Sequence, residues 1–460
     1  MNKKRLTRAC NLTVKTVTFC AVELHKNRHF CLQLTPALHS QRDHNYMAKV
    51  NPFKPNSPVP PGMFAGRLEE IKALENGLHQ TKNGNSSSFL LTGERGIGKS
   101  SLVSLLKPIA QGDITTPDYD RFNFLVVNTV IANKSTLVSF IKLLERNLKR
   151  ELEKIGKAEK VRSFFDDTWS FVQRLRIMDS GIDKIQTNDE LDLIIDDFSY
   201  SLSETCKRIT NPENGEVSKD GLMIVVDEAD NACPDLHIGY FFKVVTELLQ
   251  QNGCENVMFI LAGLPEVIEK LTASHVSSMR VFSQLVIKEL KPDDRRYVVN
   301  RGLEVANETN TEKTTISTDG RNIISNLSEG YPHFIQQFSY SAFEANTDGE
   351  ISEEDVRNGA FRKGGALDAI GSRYYQSLYN EQIKSDEYRE VLQIMAESMN
   401  SWIKKSEIRD RFSGNDHTVG DALKALTARK IILKNPSKVG EYRLQHKGFA
   451  LWIKLFGQRG

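Results

Sequence analysis

Eight consecutive residues, Gly93-Glu94-Arg95-Gly96-Ile97-Gly98-Lys99-Ser100, constrain this chain more than any other feature. They fit the pattern G-x-x-x-x-G-K-[ST]. They follow the run Ser87-Ser-Phe-Leu-Leu-Thr92, which reads as a buried strand, and they open a stretch from Gly98 to Leu106 that reads as a helix. Glycines let the backbone aim successive N–H groups at one point. The start of the helix adds positive potential at that point. Lys99 then reaches the β- and γ-phosphates of a nucleoside triphosphate, Ser100 ligates its Mg²⁺, and Ser101 continues the cradle.

A second stretch matches the needs of the first. Leu222-Met-Ile-Val-Val-Asp227-Glu228-Ala-Asp230 has an unbroken apolar run with carboxylates at its end. In open α/β sheets ligands bind beyond the C-terminal ends of the strands. Asp227 is placed to orient a metal ion, and Glu228 to polarise a water for attack on the γ-phosphate. Asp230 reads as a helix cap or a surface charge.

Further strands are expected over 122–127, 257–261 and 285–287, with helices over 135–152, 188–209 and 237–251 and a helical excursion near 159–180. Strands alternating with helices imply a parallel sheet covered on both faces. From Lys291 the strand signals stop, and helices are expected over 293–307, 320–329, 332–345 and 352–380. After residue 385 come three short helices and two strands, 430–433 and 442–444, around Asn435-Pro-Ser-Lys-Val-Gly440. The expected fold class is therefore α/β: a P-loop NTPase with a parallel sheet flanked by helices, then an all-α lid, then a C-terminal winged helix. The expected domains are 1–46, a basic extension; 47–290, the ATPase domain with a helical insertion at about 153–220; 291–382, the lid; and 383–460, the winged helix.

The combination Phe64-Ala-Gly66-Arg67, Gly93 to Ser100, Val226-Asp227-Glu228 and Gly330-Tyr331-Pro332 resembles AAA+/STAND-type P-loop ATPases, and within them the prokaryotic branch related to origin-recognition ATPases. The resemblance covers about residues 60–345 and, more loosely, the C-terminal module. It implies ATP and Mg²⁺ as cofactors, with hydrolysis to ADP and phosphate. It also implies that Gly66 and Arg67 lie against the adenine, that Pro332 sits near the base, and that Arg280 is an arginine finger reaching a neighbouring subunit's γ-phosphate. Two departures stand out. The fourth strand ends in Leu261-Ala-Gly263-Leu-Pro265, where many relatives carry a polar residue, and His333 stands roughly where many carry a second arginine sensor. These leave two functions open: an enzyme whose nucleotide state controls assembly and DNA engagement, or a nucleotide-gated signalling switch that binds a protein partner with little turnover.

Charge is unevenly distributed. Residues 401–460 hold 13 Lys and Arg against 5 Asp and Glu. Thr418, Lys424, Arg429, Lys430 and Lys438 are expected on the outer face, suited to duplex DNA through its phosphates. Trp402 and Trp452 read as core. Residues 1–46 hold eight basic and two acidic residues, with cysteine gaps of nine and ten residues that are wide for structural zinc. A basic targeting peptide would share this composition. The run from Met47 reads as an ordinary domain start, so residues 1–46 are expected to be untranslated or disordered. A hydrophobic fraction of 39% and a charged fraction of 26% fit a globular chain rather than a disordered one. Six cysteines in 460 residues point to a cytoplasmic, disulfide-free protein, and no apolar run is long enough to need a membrane.

Overall fold

The computed structural model describes residues 17–24, 27–33, 49–155, 158–180, 187–212, 218–399 and 401–457. The chain divides into two compact units: Met1–His39, Pro60–Arg95 and Lys99–Lys288 in one, Ser40–Val59, Gly96–Gly98 and Glu289–Gly460 in the other.

The first unit runs β1 (Val17–Leu24), β2 (Asn27–Gln33), α1 (Leu68–Lys82), β3 (Ser88–Thr92), α2 (Lys99–Gln111), β4 (Ile114–Thr115), β5 (Leu125–Val130), α3 (Leu137–Ile155), α4 (Ala158–Thr168), α5 (Phe171–Ser180), α6 (Asn188–Thr210), β6 (Leu222–Asp227), α7 (Ile238–Gln251), β7 (Val257–Gly263), α8 (Val267–Ser274) and β8 (Phe282–Val286). Its main sheet is parallel, in the order β5-β6-β7-β3-β8. Every residue of β3 and β7 is buried, as strands covered on both faces require. The second strand starts later than its apolar run suggests: Phe122 and Phe124 are buried ahead of it, and pairing with β6 begins at Leu125. Helix α8 lies in a stretch for which the sequence reading named no element; it is two turns long, with Val267 and Leu271 buried and Ile268 packed against the core, too short a run to stand out as a period.

The excursion after α3 shares the main core rather than forming a separate lobe. Trp169 stacks on Phe165 with centroids 5.3 Å apart, meets Phe198 edge-on at 5.6 Å, and donates its indole N–H to Thr205 Oγ1 at 2.9 Å. Phe198 in turn packs on Phe241, which belongs to α7 against the sheet. On α1, Glu75 is buried with its Oε1 unpartnered, and burial raises its carboxyl to about 7. Within residues 1–46 the structure has a hairpin rather than no regular element: β1 pairs antiparallel with β2 and in parallel with β4. Cys10 and the remainder of that segment lie outside the described residues.

The second unit contains α9 (Pro292–Thr309), β9 (Thr315–Ile316), α10 (Thr318–Leu327), α11 (Pro332–Ala345), β10 (Glu350–Ile351), α12 (Glu353–Phe361), α13 (Ala366–Tyr374), α14 (Asp386–Glu397), β11 (Ile403–Lys404), α15 (Lys405–Arg411), α16 (Asp416–Ala428), β12 (Ile432–Lys434), β13 (Glu441–Leu444) and α17 (Lys447–Phe456). The proline-rich leading segment lies along it: Asn51 Nδ2 donates to Tyr340 O at 3.1 Å, and Phe53 fills the space that a side chain at Gly302 would need. The single helix expected over 352–380 is broken. Its first part starts at a capping box of Ser352 and Asp355 and ends at Phe361, and Gly364 takes a φ of 75° before α13 begins. Strands β11, β13 and β12 form an antiparallel sheet beside α14 to α16. Helix α17, unforeseen because its apolar residues follow directly on the second strand, buries Phe449 and Trp452 with Tyr375 and Tyr379.

Candidate nucleotide site

Strand β3 delivers the glycine-rich loop to the C-terminal edge of the sheet. Gly96 and Gly98 adopt φ values of 78° and 102°, which side chains other than glycine rarely tolerate, while Ile97 between them is buried. Lys99 opens α2, and its Nζ donates to Gly93 O at 2.7 Å and Glu94 O at 3.1 Å. The ammonium is thus folded over its own loop. Burial lowers its pKa from the ordinary lysine value, and the carboxylates of Asp230, Asp227 and Glu94 oppose that fall. Arg95 is exposed and Ser101 half-buried in the first turn of α2.

The next residue joins the two halves of the site. Ser100 Oγ donates to Asp227 Oδ2 at 2.9 Å, across 127 residues of sequence. Asp227 Oδ1 accepts the Glu228 N–H at 2.9 Å. A hydroxyl and a carboxylate this close are the hard oxygen donors that Mg²⁺ prefers, so the residues fit that ion. Glu228 holds a left-handed backbone, φ 53° and ψ 39°, unusual for a side chain of its size. It is exposed, and its Oε2 accepts from Asn231 Nδ2 at 3.0 Å. The same amide nitrogen donates to Ile131 O at 3.1 Å, beyond the end of β5.

Two polar residues here escaped the sequence reading. Asp230 is neither a helix cap nor a free surface charge: its Oδ1 accepts the Leu264 N–H at 2.8 Å, at the very strand end that lacks a polar side chain of its own. Gly263 was the available signal, because a Cβ there would lie 2.9 Å from Asp230 Oδ1. Asn231 had no such marker.

The other expected residues lie as follows. Gly66 and Arg67 both have left-handed backbones, φ 69° and 64°, at the start of α1, with Arg67 3.6 Å from Glu70. Arg280 is exposed in a short turn, Val276–Val281, with no ion pair among the described residues. Pro332 is the first residue of α11 in the second unit, and beside it the His333 N–H donates to Gly96 O at 3.2 Å. In the C-terminal module Lys424, Arg429, Lys430, Lys434 and Lys438 are exposed, Thr418 is half-buried, and Arg429 donates to Gln382 O at 3.2 Å. Trp452 is core, whereas half-buried Trp402 lies beneath the Arg443 guanidinium at 4.8 Å. Among the described residues no helix is long and apolar enough to cross a membrane.

Residues 63–235 match the family described as AAA ATPase domain. No curated protein matches the chain. Among solved structures, the Aeropyrum pernix ORC2 protein in ADPNP and ADP complexes is 14% identical over 85% of this chain and 92% of that one, with a TM-score of 0.42. Cdc6p from Pyrobaculum aerophilum is 12% identical over 85% and 94%, with a TM-score of 0.40. Drosophila ORC bound to DNA is 11% identical over 91% and 96%, with a TM-score of 0.37.

Proposed function

We propose that this chain, whose residues 63–235 are a P-loop ATPase domain of the AAA type, binds ATP with Mg²⁺ and couples its hydrolysis to self-assembly and to a grip on duplex DNA. The observation that carries the reading is the 2.9 Å contact of Ser100 Oγ with Asp227 Oδ2, which draws the phosphate loop and the acidic strand end into one site. In this reading the loop amides from Gly93 to Ser101 and the Lys99 ammonium hold the β- and γ-phosphates. Ser100 and Asp227 would hold Mg²⁺, which when bound neutralises phosphate charge. Glu228 orients a water toward the γ-phosphorus and takes up its proton as the bond to the ADP oxygen breaks. Gly66 and Arg67 lie beside the adenine. Arg280, exposed and without an ion pair among the described residues, serves the γ-phosphate of a neighbouring copy.

The C-terminal module reads as a winged helix, with α16 and the β12–β13 connection turned outward. Lys424, Lys434 and Lys438 are exposed, and Val439 stands fully exposed at the tip. Such a surface suits phosphate contacts rather than base readout.

ATP turnover with and without duplex DNA over a range of salt tests the whole reading. DNA-stimulated turnover that fades steeply with salt is the expected result. Lys99→Ala should abolish nucleotide binding, and unchanged affinity would remove the pocket. A second reading, the nucleotide-gated switch, is favoured by the absence of a polar side chain on the end of β7 itself. Negligible turnover together with nucleotide-dependent assembly on a protein ligand, indifferent to DNA, would select it.

A further inference from the structure

The short turn Ala229–Asn231 that follows Glu228 is fixed from several sides. Asp230 Oδ1 takes the Leu264 N–H at 2.8 Å. Lys270 Nζ donates to the carbonyls of Asp230 and Ala232, the latter at 2.8 Å. The Asn231 N–H closes on Glu228 O at 2.9 Å. The side-chain amide of Asn231 is therefore a donor with little freedom of its own, stretched between Ile131 O at 3.1 Å and Glu228 Oε2 at 3.0 Å. Glu228, by contrast, is exposed and on a long side chain. Without a partner it would sample several rotamers, most of them useless for activating a water.

We infer that Asn231 is the positioning residue of Glu228: its amide anchors Oε2 and leaves Oε1 free to receive the water's proton. The inference rests on the role proposed for Glu228 above. The bracket ties three strand ends together: β5 through Ile131, β6 through Glu228, and β7 through Asp230. The geometry of the base is thereby set by the sheet rather than by a loop.

The test is steady-state ATP turnover by Asn231→Ala and Asn231→Asp, with KM and kcat, alongside nucleotide affinity and Glu228→Gln. For Asn231→Ala the expected result is a fall in kcat of about ten- to a hundredfold. KM and nucleotide affinity should stay within about twofold. Asn231→Asp keeps the shape and places a second carboxylate beside the first. It has no donor to offer Glu228, so its kcat should fall at least as far, and it covers the case in which the alanine variant folds poorly. A rise in kcat would overturn the inference, since the amide would then be a restraint that turnover must break. So would a loss of kcat matched by a loss of nucleotide affinity, which marks a merely structural residue. If Glu228→Gln is inactive while both Asn231 variants behave as wild type, this inference alone fails; if Glu228→Gln turns over normally, the underlying reading fails with it.

Discussion

Glu75 offers a quantitative check on the packing of the first unit. It lies on α1 with 1% of its surface exposed, and its Oε1 has no partner. Burial is the main force raising its carboxyl from 4.5 to about 7; the Thr116 hydroxyl opposes it, Asp118 adds to it, and Lys72 subtracts. Folding therefore binds a proton that the unfolded chain would release. The stabilising contribution is complete below pH 4.5, is lost as pH rises toward 7, and is absent above that. Each pH unit of that window corresponds to about 1.4 kcal/mol, so the window spans about 3 kcal/mol at most. Glu75→Gln keeps the size and removes the titration. Relative to wild type it should be near neutral at pH 5 and more stable by about 1–3 kcal/mol at pH 8. Urea unfolding of the nucleotide-free protein at both pH values measures the difference. Two units need not unfold in one step, so the transition that carries the mutational difference is the one to follow. A stability difference that is the same at pH 5 and pH 8 would refute the reasoning, because it would mean that Glu75 titrates alike in the folded and unfolded chain.

Three further outcomes are expected. Ser100→Ala should leave nucleotide binding measurable without Mg²⁺ but remove most of the gain that Mg²⁺ brings, as read by titration calorimetry with and without the metal. Arg280→Ala should lower turnover while leaving nucleotide affinity intact, and mixing it with Lys99→Ala protein should restore some activity, because an intact arginine and an intact pocket can then meet between copies. Gly371→Ala should destabilise the second unit by about 1–3 kcal/mol in thermal unfolding, because the added carbon would lie 1.9 Å from Trp452 Nε1.

How much of this was readable in the residues depended on how local the determinants were. The glycine-rich loop and the apolar strands around it are written in contiguous sequence, so the parallel sheet and the Lys99–Ser100 pair could be placed without coordinates. Glu228 and Asp227 were legible because a run of four or five apolar residues ends on them. Asp230 and Asn231 were not, since their roles are fixed by the carbonyl of Ile131 and the amide of Leu264, which lie just past the ends of strands distant in sequence. The break at Gly364 was missed for a different reason: helical spacing continues on both sides of it, and the helices are separated by a short turn in which Arg362 and Gly365 are extended and Gly364 takes a positive φ. The partnership of the excursion with the main core was likewise invisible, because Trp169 lies in the turn between α4 and α5 while Phe198 and Phe241 come from two other helices.

The strand order has one last consequence. β7 lies between β3, which bears the phosphate loop, and β6, which bears the carboxylates. The width of the cleft is thus a lattice spacing, two ladder rungs of about 4.8 Å each, rather than something any side chain adjusts. Helix α2 bridges that gap from its first turn, where Ser100 meets Asp227. β7 works as a gauge block, and a bulge introduced into it would displace the glycine-rich loop from the carboxylates without changing a single residue of either.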